Sequence, residues 1–309
     1  MNDTPQAVFD VRDTCISCKS PELVTLSEGS FMDQPLFGFL SEDPFGEDPF
    51  PHLQNARWKF VQCKDCAQKF HANVLDSHWN GIYYNRWISS EAIDIFLQNR
   101  GIFGFDADFS NGEHAVERIL QLERLTKSIR GSDPVRVLDF GCGDGQFLAT
   151  CACFGFEGVG VEFSAAREKT KRIEFVNSLD QVCESHGEGH FHAATLFEVL
   201  EHLPEPLETL KQIRPLMKTD GVLVLETPNC PNVTDFATRE DYLLIDPLGH
   251  INAFTPETQE TMAKFAGFNL VKPSVVQLTA SPKRALKREA RRLLGPFLKR
   301  YTQQYFIAT

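Results

Sequence analysis

Apolar positions fall into two rhythms along the chain. Across residues 89 to 130 they recur at helical spacing, as in Val116, Ile119, Leu120 and Leu122, which predicts a helical connector. From residue 135 the rhythm changes to short, continuous apolar runs, the form taken by parallel strands buried on both faces. Val135 to Phe140 is the first run, Gly158 to Val161 the second, and Phe191 to Phe197 the fourth strand expected. "TDGVLVLETPN" supplies a fifth and "QQYFIAT" a last one. Strand, glycine-rich turn, helix and strand follow one another, which predicts a doubly wound α/β sheet. Thr255-Pro256 has the cap-then-proline order of a helix start. Before it, "FATREDYLLIDPLGHINAF" reads as a lid or acceptor loop. Tyr83, Tyr84 and Trp87 have two readings: a cover over a pocket, or packing between connector and core.

Composition narrows the class. The 309 residues are 42% hydrophobic and 24% charged, as in a globular protein, and no apolar run reaches 18 residues. The start, "MNDTPQAVFDVRD", lacks the basic and apolar regions of a signal peptide, so a cytoplasmic location is expected. A net charge of −11 counts against a nucleic-acid-binding surface. Residues 283 to 300 depart from it, with eight basic residues and one acid. Leu286, Ala290, Leu293, Leu294 and Phe297 are at helical spacing there. That segment is either a solvated helix before the last strand or a basic amphipathic helix for peripheral contact with an anionic membrane or phosphate-rich partner.

Nine cysteines in a reducing compartment point to metal rather than disulfides. Cys15 and Cys18 form one C-x-x-C pair, and Cys63 and Cys66 form a second. Two such turns facing each other make a tetrahedral four-sulfur zinc site. All four ligand positions are filled, so the zinc would be structural. The stretch between the pairs is acidic and rich in Phe and Pro, with no Lys or Arg between Ser27 and Ala56.

The first strand of the α/β region runs straight into Gly141, Gly143 and Gly145, where a turning backbone can approach a ligand closely. Glu162 ends the second strand at the roughly 20-residue spacing at which an acid meets a ribose. The dinucleotide form G-x-G-x-x-G is absent, and Asp139 stands two residues before the first glycine. An acid there pairs with an ammonium and repels a pyrophosphate, so the ligand reads as a cationic nucleoside.

"VLDFGCGDG", "GVGVEFS", "LFEVLEHLPEPLETLKQIRPLMKTDGVLVLETPN" and "GHINAFTPETQETMAKFAGF" occur in order. Over about residues 112 to 280 they resemble class I S-adenosylmethionine-dependent methyltransferases, the branch of quinone and sugar O-methyltransferases. The resemblance implies a Rossmann-like seven-stranded sheet behind a small zinc-ribbon module. It implies three regions: 1–80 as ribbon, 81–130 as connector and pocket cover, and 131–309 as methyltransferase domain including the basic segment. By it, Asp139, Gly141, Cys142 and Gly143 lie along the methionine part of the cofactor, with Phe197 on the same wall. Glu162 meets the ribose, Phe163 the adenine, and Asp180 in "NSLD" its amino group. The family's Phe-Asp before the fourth strand is Phe191-His192 here, which weakens that position.

"FEVLEHL" follows the fourth strand with Glu198, Glu201 and His202, and His250 lies downstream. Plant small-RNA 2′-O-methyltransferases carry a similar Glu-x-x-Glu-His set with a distant histidine around a metal. Three readings follow: the four residues hold Mg²⁺ or another divalent metal, His202 or His250 is a general base without one, or the residues line the pocket. The expected activity is methyl transfer to a hydroxyl of a small metabolite or sugar, lipid-linked or polysaccharide precursors included. The alternative is RNA 2′-O-methylation, against which the acidity of the chain counts. No motif specifies the acceptor or an oligomeric state.

Overall fold

A computed structural model describes residues 4–99, 104–163, 173–274, 286 and 301–309. The basic segment 283–300 therefore lies outside the described residues except for Leu286. The N-terminal part contributes β1 (Phe9–Val11), β2 (Leu23–Ser30), β3 (Arg57–Cys63), β4 (Lys69–His71) and β5 (Asn73–Leu75). The remainder contributes β6 (Arg136–Phe140), β7 (Glu157–Val161), β8 (Glu174–Val176), β9 (Phe191–Phe197) and β10 (Met217–Pro228). It ends with β11 (Asn252–Ala253), β12 (Phe268–Val271) and β13 (Tyr301–Ala308).

Seven strands form the main sheet in the order β12-β13-β10-β9-β6-β7-β8. The strands from β6 to β10 pair in parallel, and β13 runs antiparallel to both neighbours. This is the doubly wound sheet expected, with the apolar runs at the expected positions. Period-two alternation sorts its side chains. Val137, Ala193, Val222 and Val224 pack on one face with Ile119, Leu122 and Leu148. Leu138, Ala194, Leu196, Leu223 and Leu225 pack on the other. The winding reverses between β6 and β9, and ligands bind outside the carboxyl ends of strands at such a reversal.

The connector is helical over Ser90–Asn99, Gly104–Leu125 and Lys127–Arg130. Ile119 and Leu122 of its apolar set are buried, whereas Val116 is exposed. The Phe-rich stretch after β2 makes a core of its own. Phe31, Leu36, Leu40 and Leu53 are buried against Trp58, Trp79, Trp87, Phe236 and Tyr242. Each such side chain contributes about 1.5–3 kcal/mol when fully buried, which offsets ordering so long a connection.

One pairing shapes the site. β11 hydrogen-bonds to β4, with Asn252 opposite Phe70 and Ala253 opposite Lys69, completing a second sheet in the order β11-β4-β3-β2. Gln68 Nε2 donates to the Ala253 carbonyl at 2.9 Å, and His71 N donates to the Ile251 carbonyl at 2.9 Å. The cysteine-bearing sheet thus carries, as its edge, the segment that follows His250.

Candidate active site and metal centres

The glycine turn leaves β6 at Asp139, which is 4% exposed and accepts a 2.6 Å hydrogen bond from Thr195 on the paired strand β9. Burial pushes the Asp139 carboxyl up to about 7, with Thr195 and Arg118 opposing. Gly141, Gly143 and Gly145 have φ of 73°, 59° and 82°, the left-handed region that glycine enters without strain. A Cβ on Gly141 would also lie 2.6 Å from Val199 Cγ2. Gly143 N donates to Glu162 Oε2 at 2.9 Å, which ties the turn to the end of β7. Cys142 is buried beneath the turn.

Phe163 is 61% exposed and meets Phe140 edge-on at 5.5 Å, so its ring is available to a planar ligand. Phe197 ends β9 with the Arg118 guanidinium 3.8 Å over its ring, and Arg118 in turn pairs with Glu226 at 2.6 Å. Asp180 is exposed in the first turn of the helix Leu179–His186. His192, the departure at the fourth strand, is buried and accepts from Arg136 N at 3.0 Å, so it joins β9 to the start of β6. Thr195 and Arg118 escaped sequence reasoning, because only strand register and helix packing bring them to Asp139.

These residues fit S-adenosylmethionine: a buried acid bonded, among the described residues, by Thr195 alone, a crowded glycine turn, a carboxylate at the end of the second strand and an exposed ring. An ammonium bound at Asp139 would require the carboxyl ionised, whereas burial in the unliganded fold raises its pKa from 3.8 to about 7. The raised value means that this group costs stability as pH rises from about 4 to 7, and a bound ammonium removes that cost. Affinity for S-adenosylhomocysteine, measured by calorimetry, should therefore weaken about tenfold per pH unit below about 7. Asp139→Asn should bind weakly at every pH, with the slope gone. An unchanged slope in that variant would remove Asp139 from the cofactor site.

The two C-x-x-C turns are near copies. Lys19 N donates to the Cys15 carbonyl and Ala67 N to the Cys63 carbonyl, both at 3.0 Å. Lys19 and Ala67 each have φ of 60°, which folds each turn back on itself. Cys15 Sγ and Cys66 Sγ stand 3.5 Å apart, as do Cys18 Sγ and Cys63 Sγ, and all four sulfurs lie within 4.8 Å of one another. Four converging thiols, two of them buried, fit tetrahedral zinc.

Three of the four residues expected around a second metal also converge. Glu201, His202 and His250 bring one ligand atom each within 4.8 Å of the others. Glu201 and His202 share the short 3₁₀ turn Leu200–His202 at the exit of β9. Glu201 is 1% exposed, neither carboxylate oxygen has a hydrogen-bond partner, and burial holds its carboxyl well above the usual range. His202 Nδ1 donates to the Gly249 carbonyl at 2.9 Å, and its ring meets His250 edge-on at 4.8 Å. His250 Nδ1 is buried without a partner, and desolvation pushes the imidazole down to about 4.

Glu198, the fourth residue of the expected set, stands outside this cluster. Its φ of 57° turns the chain before Val199, and its N–H bonds the Glu226 carbonyl of β10 at 2.8 Å. Burial and Glu226 raise its carboxyl, with Arg118 opposing. Tyr84 faces His202 at 6.4 Å, while Tyr83 and Trp87 are buried in the Phe-rich core, so the aromatic trio divides between its two readings.

Asn252 and Arg12 brace this arrangement. Asn252 Nδ2 donates to the Leu200 and Leu203 carbonyls at 2.8 and 2.7 Å, and its Oδ1 accepts from Arg12 at 2.9 Å. Arg12 also donates to the Pro204, Ile251 and His71 carbonyls. Neither residue has a local sequence signal. One carboxylate with two imidazoles suits a borderline transition ion better than oxygen-seeking Mg²⁺, and it leaves positions open for acceptor oxygens. The partnerless Glu201 and His250 atoms are consistent with such an ion.

A family model described as a methyltransferase domain matches residues 110–272, more than half of the chain. The chain belongs to this methyltransferase-domain family. It is 32% identical over 103 residues to a ubiquinone biosynthesis O-methyltransferase of Xanthomonas campestris, covering 30% of this chain and 43% of that one. A protein of the same name from Alkalilimnicola ehrlichii is 28% identical over 120 residues, covering 36% and 48%. The chain thus spans under half the length of these curated relatives. An S-adenosylmethionine-dependent methyltransferase structure from Archaeoglobus fulgidus aligns with 63% of this chain and 93% of that one, at 22% identity and a TM-score of 0.42. Among the described residues, no helix is long and apolar enough to cross a membrane.

Proposed function

We propose that this methyltransferase moves the methyl group of S-adenosylmethionine to a hydroxyl of a small, oxygen-rich acceptor, a metabolite or a sugar. The observation that carries the reading is the convergence of Glu201, His202 and His250 at the exit of β9, next to the glycine turn after β6. The relatives' name, O-methyltransferase, supports the same chemistry.

The cofactor supplies a methyl already activated on a sulfonium, so the protein's tasks are alignment and removal of the hydroxyl proton. Asp139 holds the ammonium and Glu162 the ribose, which fixes the direction of the methyl. Tyr84 closes the wall beside His202. His250 is neutral at pH 7, with its pKa held near 4 by desolvation, so it offers a lone pair to a metal and is a weak acceptor for a proton. A divalent ion on Glu201, His202 and His250 would acidify a bound hydroxyl.

The test is transfer of labelled methyl groups to a panel of catechols and free or nucleotide-linked sugars, before and after mild chelation that spares the four-cysteine zinc. Transfer to hydroxylated members, lost on chelation and restored by Mn²⁺ or Zn²⁺, is the expected result. Transfer indifferent to chelation would leave His202 or His250 as a base and remove the metal.

A further inference from the structure

We propose that Asp246 is a positioning residue for this site: through Gly249 it sets the tautomer and orientation of His202. The inference rests on the role proposed above for Glu201, His202 and His250. Asp246 follows the helix Arg239–Ile245 and begins the turn that ends in His250. Its two oxygens take separate backbone donors, Oδ1 from Leu248 N at 3.0 Å and Oδ2 from Gly249 N at 2.9 Å. Tyr83 Oη adds a longer contact to Oδ2 at 3.5 Å.

Gly249 is where this grip meets the site. A Cβ there would lie 2.6 Å from Tyr83 Oη and 2.7 Å from Asp246 Oδ2, so glycine alone lets the backbone sit so close. The carbonyl of Gly249 partners His202 Nδ1 at 2.9 Å. A carbonyl can only accept, so Nδ1 carries the proton and the lone pair lies on Nε2. Nε2 is then the nitrogen that can take a metal or a proton. One residue beyond His250, the Ile251 carbonyl is clamped by His71 N and Arg12. The turn is thus held at both ends, and Asp246 is the end that faces His202's partner.

Asparagine has the same shape but one acceptor oxygen, so Asp246→Asn sets an NH₂ group against one of the two backbone donors. In ¹⁵N-histidine spectra of metal-free wild type, His202, assigned by substitution, is expected as the Nδ1–H tautomer. In Asp246→Asn it should shift toward a tautomer mixture. Mn²⁺ affinity, read from the paramagnetic resonance of the unbound ion, should fall about tenfold to a hundredfold. Affinity for S-adenosylhomocysteine should stay within about threefold, since Asp139 and the glycine turn are untouched.

A variant with wild-type tautomer and wild-type Mn²⁺ affinity overturns the proposal. So does an Nε2–H tautomer in the wild type, a result that needs no folded variant. Asp246→Ser, which keeps one acceptor, provides the same readings if the asparagine variant fails to fold. If wild type binds no Mn²⁺ and His202→Ala remains active, the functional reading fails, while the tautomer still decides the role of Asp246.

Discussion

Replacing Cys63 with serine should abolish zinc binding at the four-cysteine cluster and, with it, methyl transfer at a site on a different sheet. Structural zinc in small modules is worth about 10–16 kcal/mol of apparent binding free energy, as much as the whole stability of an ordinary domain. Cys63 ends β3 and Cys66 lies in the turn into β4, so loss of the metal loosens the strand on which β11 is paired. β11 begins two residues after His250, and Asn252 within it holds the Leu200 and Leu203 carbonyls on either side of Glu201 and His202. The cysteine-bearing sheet therefore braces the turn that carries Glu201 and His202. The expected outcome is a fall in kcat of at least about a hundredfold, with zinc absent by elemental analysis. S-adenosylhomocysteine affinity should change much less, because Asp139, Gly143 and Glu162, proposed for the cofactor, lie at the ends of β6 and β7. Full activity in a zinc-free variant would show that the two sheets function independently.

The second large effect is expected at Glu201 and His202. Glu201→Gln keeps volume and removes a carboxylate whose two oxygens have no protein partner. His202→Ala removes the imidazole held by Gly249. Either change should lower kcat by about 10²–10⁴, the usual contribution of a positioned proton acceptor, and leave cofactor affinity nearly unchanged. Glu201→Gln should melt no lower than the metal-free wild type, since an unpartnered buried carboxyl is a cost to the fold. Glu198→Gln is the contrast: standing outside the cluster, it should keep metal affinity. Loss of metal affinity in that variant, equal to the loss in Glu201→Gln, would restore the four-residue set.

Local patterns made much of this legible. Apolar runs gave β6, β7, β9 and β10 nearly to the residue, because strands buried on both faces have nowhere to place a polar side chain. The two cysteine pairs and the glycine turn were readable because each chemistry needs fixed residue types at fixed spacing. Thr255-Pro256 gave the helix start, and the observed cap at Thr255 donates and accepts as such caps do. What stayed hidden depends on distant contacts. Nothing near Asn252 announces a strand paired with residues some 180 positions earlier, and nothing near Arg12 announces that it would span the His71, Pro204 and Ile251 carbonyls. The core made by the Phe-rich stretch has no local signal, because its partners Phe236 and Tyr242 lie some 200 positions later in the chain. Glu198 stands apart from Glu201 for a local reason the Glu-x-x-Glu-His spacing does not reveal: its positive φ turns the chain before the 3₁₀ turn begins.

Metal content decides whether Glu201, His202 and His250 hold an ion. The wild-type chain and a Glu201→Ala, His202→Ala double variant would be purified and analysed for bound metal before and after mild chelation. One tightly held zinc is expected in both proteins, and a second, chelatable ion in the wild type alone. One zinc in each, with no second ion at any added Mn²⁺ or Zn²⁺, would contradict that expectation.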